Sequence, residues 1–103
     1  MPFEGSYLWR LRQKVGSDLV LFPGAMVFLV RADGAVLFTR RADNGMWCLP
    51  AGGAEEGGSF GATAVTELRE ETGVVVDPAD LVGFACLSDA DLHTITYPGG
   101  DVT

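Results

Sequence analysis

The sequence predicts an α+β domain built with hairpins, and three observations predict it. Residues 6–15 and 59–73 each carry apolar side chains at helical spacing, opened by a serine and closed by a glycine. Around them lie short apolar runs of strand length. Asp33-Gly34 and Asp43-Asn44-Gly45 separate those runs with residues that tolerate the positive φ of tight turns.

Composition frames this reading. At 103 residues, the chain is at most one domain, 1–103, near the small end for a self-sufficient core. A hydrophobic content of 48% and a mean hydropathy of +0.23 mark it as globular. Fourteen acidic against seven basic residues give a net charge of −7 and a pI near 4.4. That balance argues against gripping a nucleic-acid polymer, which takes clustered Lys and Arg. A small phosphorylated molecule remains open if a metal supplies positive charge. No apolar run reaches the roughly 20 residues that span a bilayer. The first residues lack the apolar core and cleavage site of a signal peptide, so a cytoplasmic location is expected. Cys48 and Cys86 sit in apolar runs and are expected to be buried free thiols.

In chain order, Ser6 caps the first helix, Leu8, Leu11 and Val15 form its apolar face, and Gly16 stops it. Arg10, Arg12 and Lys14 are expected on a solvated basic face, or as a patch for an anionic ligand or a partner subunit. Residues 19–22 form a short apolar run. Residues 25–30 are nearly continuous apolar, as in a strand buried on both faces. Residues 35–39 return as its partner after the Asp33-Gly34 turn. Arg40 and Arg41 follow; one is expected to face solvent, the other to sit beside an acidic helix or to grip phosphate as a fork. Residues 46–49 form a third strand, in which Trp47 is expected in the core.

That strand delivers the chain to a glycine loop at Gly52 and Gly53, and then to the second helix. Ser59 is its N-cap and Gly73 its left-handed stop. Ala64, Val65, Leu68 and Thr72 share the face to bury. Glu67, Glu70 and Glu71 lie three and four residues apart and crowd another arc. Like charges at these spacings repel by roughly 0.2–0.5 kcal/mol per pair. A solvated acidic face is one reading of them. The other is a site for a hard divalent cation, since Mg²⁺ takes one or two carboxylates together with substrate phosphates. The adjacent glycine loop favours the cation, because glycine lets backbone approach an ion or phosphate closely.

After the helix, residues 74–76 are β-branched and strand-like until Asp77-Pro78. Residues 81–87 are expected as another strand, 88–91 as a polar loop, and 93–97 as a strand ending in the Pro98-Gly99-Gly100 turn. His93 is the single histidine, so a histidine-based metal site is not expected.

The stretch from Gly52 to Val74 resembles the Nudix box. That pattern is a glycine, five residues, a glutamate, seven residues, then Arg-Glu-aliphatic-any-Glu-Glu-any-Gly-aliphatic. Gly52, Glu67, Leu68, Glu70, Glu71, Gly73 and Val74 match without gaps. Gly58 stands where the pattern has its first glutamate, and Thr66 where it has arginine. The resemblance runs from about residue 19 to 103 and implies an α/β/α sandwich around a mixed sheet. It implies hydrolysis of a diphosphate bond in a nucleoside diphosphate joined to another moiety, with Mg²⁺ or Mn²⁺ as cofactor. Glu70 and Glu71 would be the principal metal ligands, Glu67 a ligand or the general base, and the Ala51 carbonyl a further ligand. Arg40, Arg41, Trp47, Gly52 and Gly53 would line the substrate, Trp47 by stacking on a base as aromatics near this strand do in relatives.

The departures carry expectations of their own. In the family, the arginine at the Thr66 position helps hold the following glutamate, and the glutamate at the Gly58 position adds to the metal shell. Weakened hydrolysis is therefore expected. The alternatives are an inactive Nudix domain that binds a nucleotide or a protein partner, and a structural acidic helix with no ligand. Nudix domains also continue with further strands and a second long helix. The 93–97 strand is expected to lack a full partner, since only Val102 and Thr103 follow the turn. A homo-oligomer or a fragment of a longer chain is the expected consequence. Asp89, Asp91 and Asp101 are the late acidic residues available to a metal site.

Overall fold

The structure is a computed structural model that describes residues 3–83 and 85–103. In chain order its elements are α1 (Tyr7–Val15), β1 (Gly24–Met26), β2 (Thr39–Arg40), β3 (Trp47–Cys48), β4 (Ala51–Gly53), α2 (Phe60–Thr72), a 3₁₀ turn (Pro78–Asp80) and α3 (Ala90–His93). They divide between two units, one of residues 23–82 and one that joins residues 3–22 to those from Gly83 onward. Helices and hairpins together bear out the α+β expectation.

In the 23–82 unit, the turn signals work as read. Gly34 takes φ 87°, the Gly34 N–H bonds the Arg31 carbonyl, and Val30 bridges Val36 antiparallel. Gly45 takes φ 70° in the second turn, where β2 and β3 pair as Thr39–Cys48 and Arg40–Trp47. β1 pairs antiparallel with β4, with Ala25 opposite Gly52. The sheets are small and every described pairing is antiparallel, so the expected mixed sheet is not what these residues form. Residues 74–76, read as a strand, lie outside regular structure, and Val74 and Val76 instead pack against the core.

α2 starts on the Ser59 hydroxyl, which accepts from the Ala62 N–H at 3.0 Å, and ends on Gly73 at φ 76°. Its inner face is Ala64 and Leu68, which meet Val27 of the β1 extension; Leu68 is 0% exposed. Burying one such leucine is worth about 1.5–3 kcal/mol, so this small contact anchors helix to sheet. Ala25, Val27 and Leu29 turn toward that cluster. Met26, Phe28 and Val30 point the other way and stay 53, 50 and 49% exposed. The run at 25–30 thus packs one face into the core and leaves the other half-exposed. Period-two alternation sends every second side chain to the face opposite the helix.

In the other unit, Ser6 caps α1 by accepting from the Trp9 N–H at 3.1 Å, and Gly16 closes it at φ 60°. Arg12 corrects the expectation of a solvated basic face. It is buried, donates to the carbonyls of Gly16, Asp18 and Val102, and lies 3.7 Å from the Asp101 carboxylate. The chain end also differs from expectation. Ile95 and Thr103 exchange both backbone hydrogen bonds, the Tyr97 N–H bonds the Asp101 carbonyl, and Thr96 bridges Val102. A three-residue return therefore suffices to pair this strand, and the Val102 carbonyl also accepts from Val20. The polar loop at 88–91 holds the start of α3, capped by the Asp89 carboxylate on the Asp91 N–H at 2.9 Å. The strand expected at 81–87 includes Phe84, which lies outside the described residues; its neighbours are irregular. Cys48 is half-buried and Cys86 exposed, so neither thiol is in the core.

Candidate active site

The β1–β4 ladder sets up the site by its register. Val27 donates to the Pro50 carbonyl at 2.8 Å, and Ala54 to the Pro23 carbonyl at 3.0 Å. Hydrogen-bonded pairs alternate along an antiparallel ladder, so Ala25–Gly52 is bonded and Met26–Ala51 is not. Both backbone groups of Ala51 therefore point away from β1. Its N–H meets the Glu71 carboxylate of α2 at 3.2 Å. Its carbonyl leaves the strand on that same side.

Gly52 bears on Glu67 more directly. A Cβ built on Gly52 would overlap the Glu67 carboxylate, whose oxygens lie 2.5 Å from that position. The carboxylate occupies the volume that any side chain at 52 would fill. The structure thus brings together Ala51, Gly52, Glu67 and Glu71, which the sequence separates by up to 20 residues. Glu70 lies on the exposed side of α2, near enough for its charge to act on Glu67.

The Glu67 carboxyl sits above the usual glutamate range. Partial burial against the strand is the main cause, and the negative charges of Glu70, Glu71 and Glu55 push the same way. Glu55 lies in the loop outside the matched positions of the box. Its loop doubles back, the Gly58 N–H bonding the Glu55 carbonyl at 3.0 Å, and brings its charge to Glu67. The turn residues Gly57-Gly58 were the only sequence signal of that return.

The two departures from the box meet in space. Gly58 and Thr66 line one shallow hollow together with Gly53, Glu55, Ala62, Thr63 and Glu67. Thr63 is buried there, and its hydroxyl donates to the Ser59 carbonyl at 2.8 Å. Small residues at 58 and 66 leave open the space beside Glu67.

Of the expected substrate-side residues, Gly52 and Gly53 lie on β4, and Arg40, Arg41 and Trp47 on the β2–β3 hairpin. Arg41 grips Asp43 by two hydrogen bonds of 2.9 and 2.6 Å, which lowers the Asp43 pKa. Arg40 donates to the Gly45 carbonyl at 3.1 Å and lies 5.9 Å from the centre of the Trp47 ring, within cation–π range. These bonds hold both guanidinium groups within their own hairpin. Trp47 is 66% exposed, which corrects its expected place in the core.

Among the described residues, no three acidic or other ligating side chains converge closely enough to cage an ion. The donor set still fits a cation that keeps waters and takes substrate oxygens: carboxylates and a carbonyl, all hard, with the Gly52 cradle holding one of them. Also among the described residues, no helix is long and apolar enough to cross a membrane.

Comparison with known proteins bears on the same stretch. The NUDIX domain family model matches residues 20–98. A MutT-like protein of Streptomyces ambofaciens is 44% identical over 55 residues, 53% of this chain and 36% of that protein. An RNA pyrophosphohydrolase of Erythrobacter litoralis (strain HTCC2594) is 39% identical over 61 residues, 56% of this chain and 37% of that protein. Another, of Roseobacter denitrificans (strain ATCC 33942 / OCh 114), is 40% identical over 62 residues, 58% of this chain and 39% of that protein. The chain therefore spans under two-fifths of the length of these relatives.

Proposed function

Because this chain belongs to the Nudix family, we propose that it hydrolyses a diphosphate bond in a nucleoside diphosphate joined to another moiety, at a reduced rate. The observation that carries the reading is the Glu67 carboxylate seated on the bare backbone of Gly52, with Glu71 tied to Ala51 beside it. An acidic helix with no ligand would have no reason to place a carboxylate in a glycine cradle.

Glu70 and Glu71 would hold Mg²⁺ or Mn²⁺, with Glu67 and the Ala51 carbonyl completing the protein's share. Bound there, the cation neutralises the anionic diphosphate and lowers the pKa of the attacking water. Where Glu67 is not itself a ligand, its carboxylate, seated on Gly52 beside the other donors, would take the proton from that water. Water oxygen bonds to phosphorus as the bridging P–O bond breaks, and the leaving phosphate carries away the electron pair. Gly52 and Gly53 allow phosphate to approach the backbone closely. Arg40 and Arg41 would reach the substrate by exchanging their hairpin hydrogen bonds for its phosphate oxygens, and the exposed Trp47 would offer a stacking face. Thr66 leaves Glu67 without the arginine that the family pattern provides, and Gly58 removes one carboxylate. Both changes favour slow turnover.

Two of the relatives carry the name RNA pyrophosphohydrolase, which favours RNA as a second substrate reading. The net charge of −7 weighs against it, since a polymer of phosphates would be repelled. The half-exposed row Met26, Phe28 and Val30 favours a homo-oligomer or a domain completed by further chain. Phosphate release from a nucleotide panel, with an RNA bearing a terminal pyrophosphate as one member, tests the assignment. Release that requires Mg²⁺ or Mn²⁺ and stops with a chelator is expected. No release from any substrate, with nucleotide binding retained, would favour an inactive binding domain.

A further inference from the structure

Gly24 lies 28 positions before Gly52, outside the matched box, where Pro23-Gly24 reads in the sequence only as a break between two apolar runs. Its backbone φ is not in the left-handed region, so conformational freedom does not explain a glycine there. Contact does. A Cβ on Gly24 would stand 2.6 Å from the Gly52 carbonyl oxygen, 3.3 Å from the Gly52 carbonyl carbon and 3.5 Å from the Gly53 Cα. All three are backbone atoms, so no flexible side chain can yield. The strand β4 itself would have to move.

β4 is what locates the carboxylates. The Gly52 backbone is the surface on which the Glu67 carboxylate rests, and the Ala51 N–H holds Glu71. Ala25, next to Gly24, forms the hydrogen-bonded pair with Gly52. A displacement of β4 by a few tenths of an ångström would therefore reach both glutamates together. We propose that Gly24 is a positioning residue, whose missing side chain lets β4 sit where it seats Glu67 and Glu71. The metal part of this inference rests on the hydrolase reading above; the geometric part does not.

The test is Gly24→Ala, measured against Gly99→Ala and Val27→Ala. Gly99 has no atom within 4 Å of a built Cβ and no positive φ, so its variant controls for the loss of a glycine. Val27→Ala removes core volume from the same strand and controls for lost stability. Mn²⁺ alone is titrated into each protein below its melting temperature. Gly24→Ala is expected to weaken Mn²⁺ binding about tenfold or more, as for other residues that orient metal ligands. Both controls are expected to bind as the wild type does. In the metal-free protein, the nuclear Overhauser effect between the Glu67 γ-protons and the Gly52 α-protons is expected to disappear in Gly24→Ala only. Unchanged Mn²⁺ affinity in Gly24→Ala, or equal weakening in Val27→Ala, would overturn the proposal. If the wild type binds no Mn²⁺, the hydrolase reading falls, and the Overhauser effect alone decides the positioning role: its retention in Gly24→Ala overturns it. If Gly24→Ala is unfolded in dilute buffer, the comparison is made in trimethylamine N-oxide, which favours the compact state. Failure to fold even there would assign Gly24 to the structure alone and overturn the proposal.

Discussion

Replacing Glu67 by Gln should make the metal-free protein more stable, although it removes a site residue. Glutamine keeps the shape that rests on Gly52 but carries no charge. Glu67 faces like charges at i+3 (Glu70) and i+4 (Glu71) on α2. Each such pair repels by roughly 0.2–0.5 kcal/mol on a helix, so relieving two of them gains on the order of 0.4–1 kcal/mol. The raised pKa of Glu67 gives the pH dependence. A carboxyl whose folded pKa is raised contributes stability that is fully present below its unfolded value. That contribution is lost as pH rises through the folded value. The wild type should therefore lose stability as pH climbs above the ordinary glutamate value of 4.5, and Glu67→Gln should lose less over the same window. Urea unfolding in the presence of a chelator, from pH 4 to 8, measures this. Adding Mn²⁺ should reverse the order at neutral pH. Binding at a hundredfold excess over Kd stabilises the wild type by about 2.7 kcal/mol, while the variant binds more weakly. A variant less stable than wild type at neutral pH without metal would refute the reasoning, and would mean that the charge of Glu67 is satisfied in the fold.

The other expectations can be tested alongside. Thr66→Arg together with Gly58→Glu should raise the hydrolysis rate about tenfold by filling the hollow beside Glu67. A measurable wild-type rate left unchanged or lowered would show that the departures are not what slows the enzyme. Mn²⁺ titration should find Glu70→Gln and Glu71→Gln each weaker binders than Glu56→Gln, with Glu55→Gln between them because its charge reaches Glu67. Equal effects in all four would point to a diffuse acidic surface. Light scattering on the 103-residue chain should find association through the apolar row Met26, Phe28 and Val30. A cooperatively unfolding monomer would show that this half-exposed face needs no cover.

The sequence by itself determined the features that depend on near neighbours. Ser6, Gly16, Ser59 and Gly73 bound their helices because caps act within one turn. Gly34 and Gly45 make their turns because positive φ is a local demand. The crowding of Glu67, Glu70 and Glu71 follows from helical spacing alone, and the match of residues 20–98 to the family model agrees with the box at Gly52 to Val74. Tertiary structure decided what depends on which strand lies beside which helix. Arg12 looked like a solvated cation, but the carbonyls of Gly16, Asp18 and Val102 bury it. Trp47 looked like core, but its hairpin leaves it exposed. The run at 25–30 looked buried on both faces, because an apolar side chain does not record whether a second layer covers it. Glu55 entered the neighbourhood of Glu67 through a loop whose path no periodicity encodes. Gly24 and Gly52 could be understood only once β1 lay against β4 and α2 lay over both, because a missing Cβ has meaning only when another atom occupies its place.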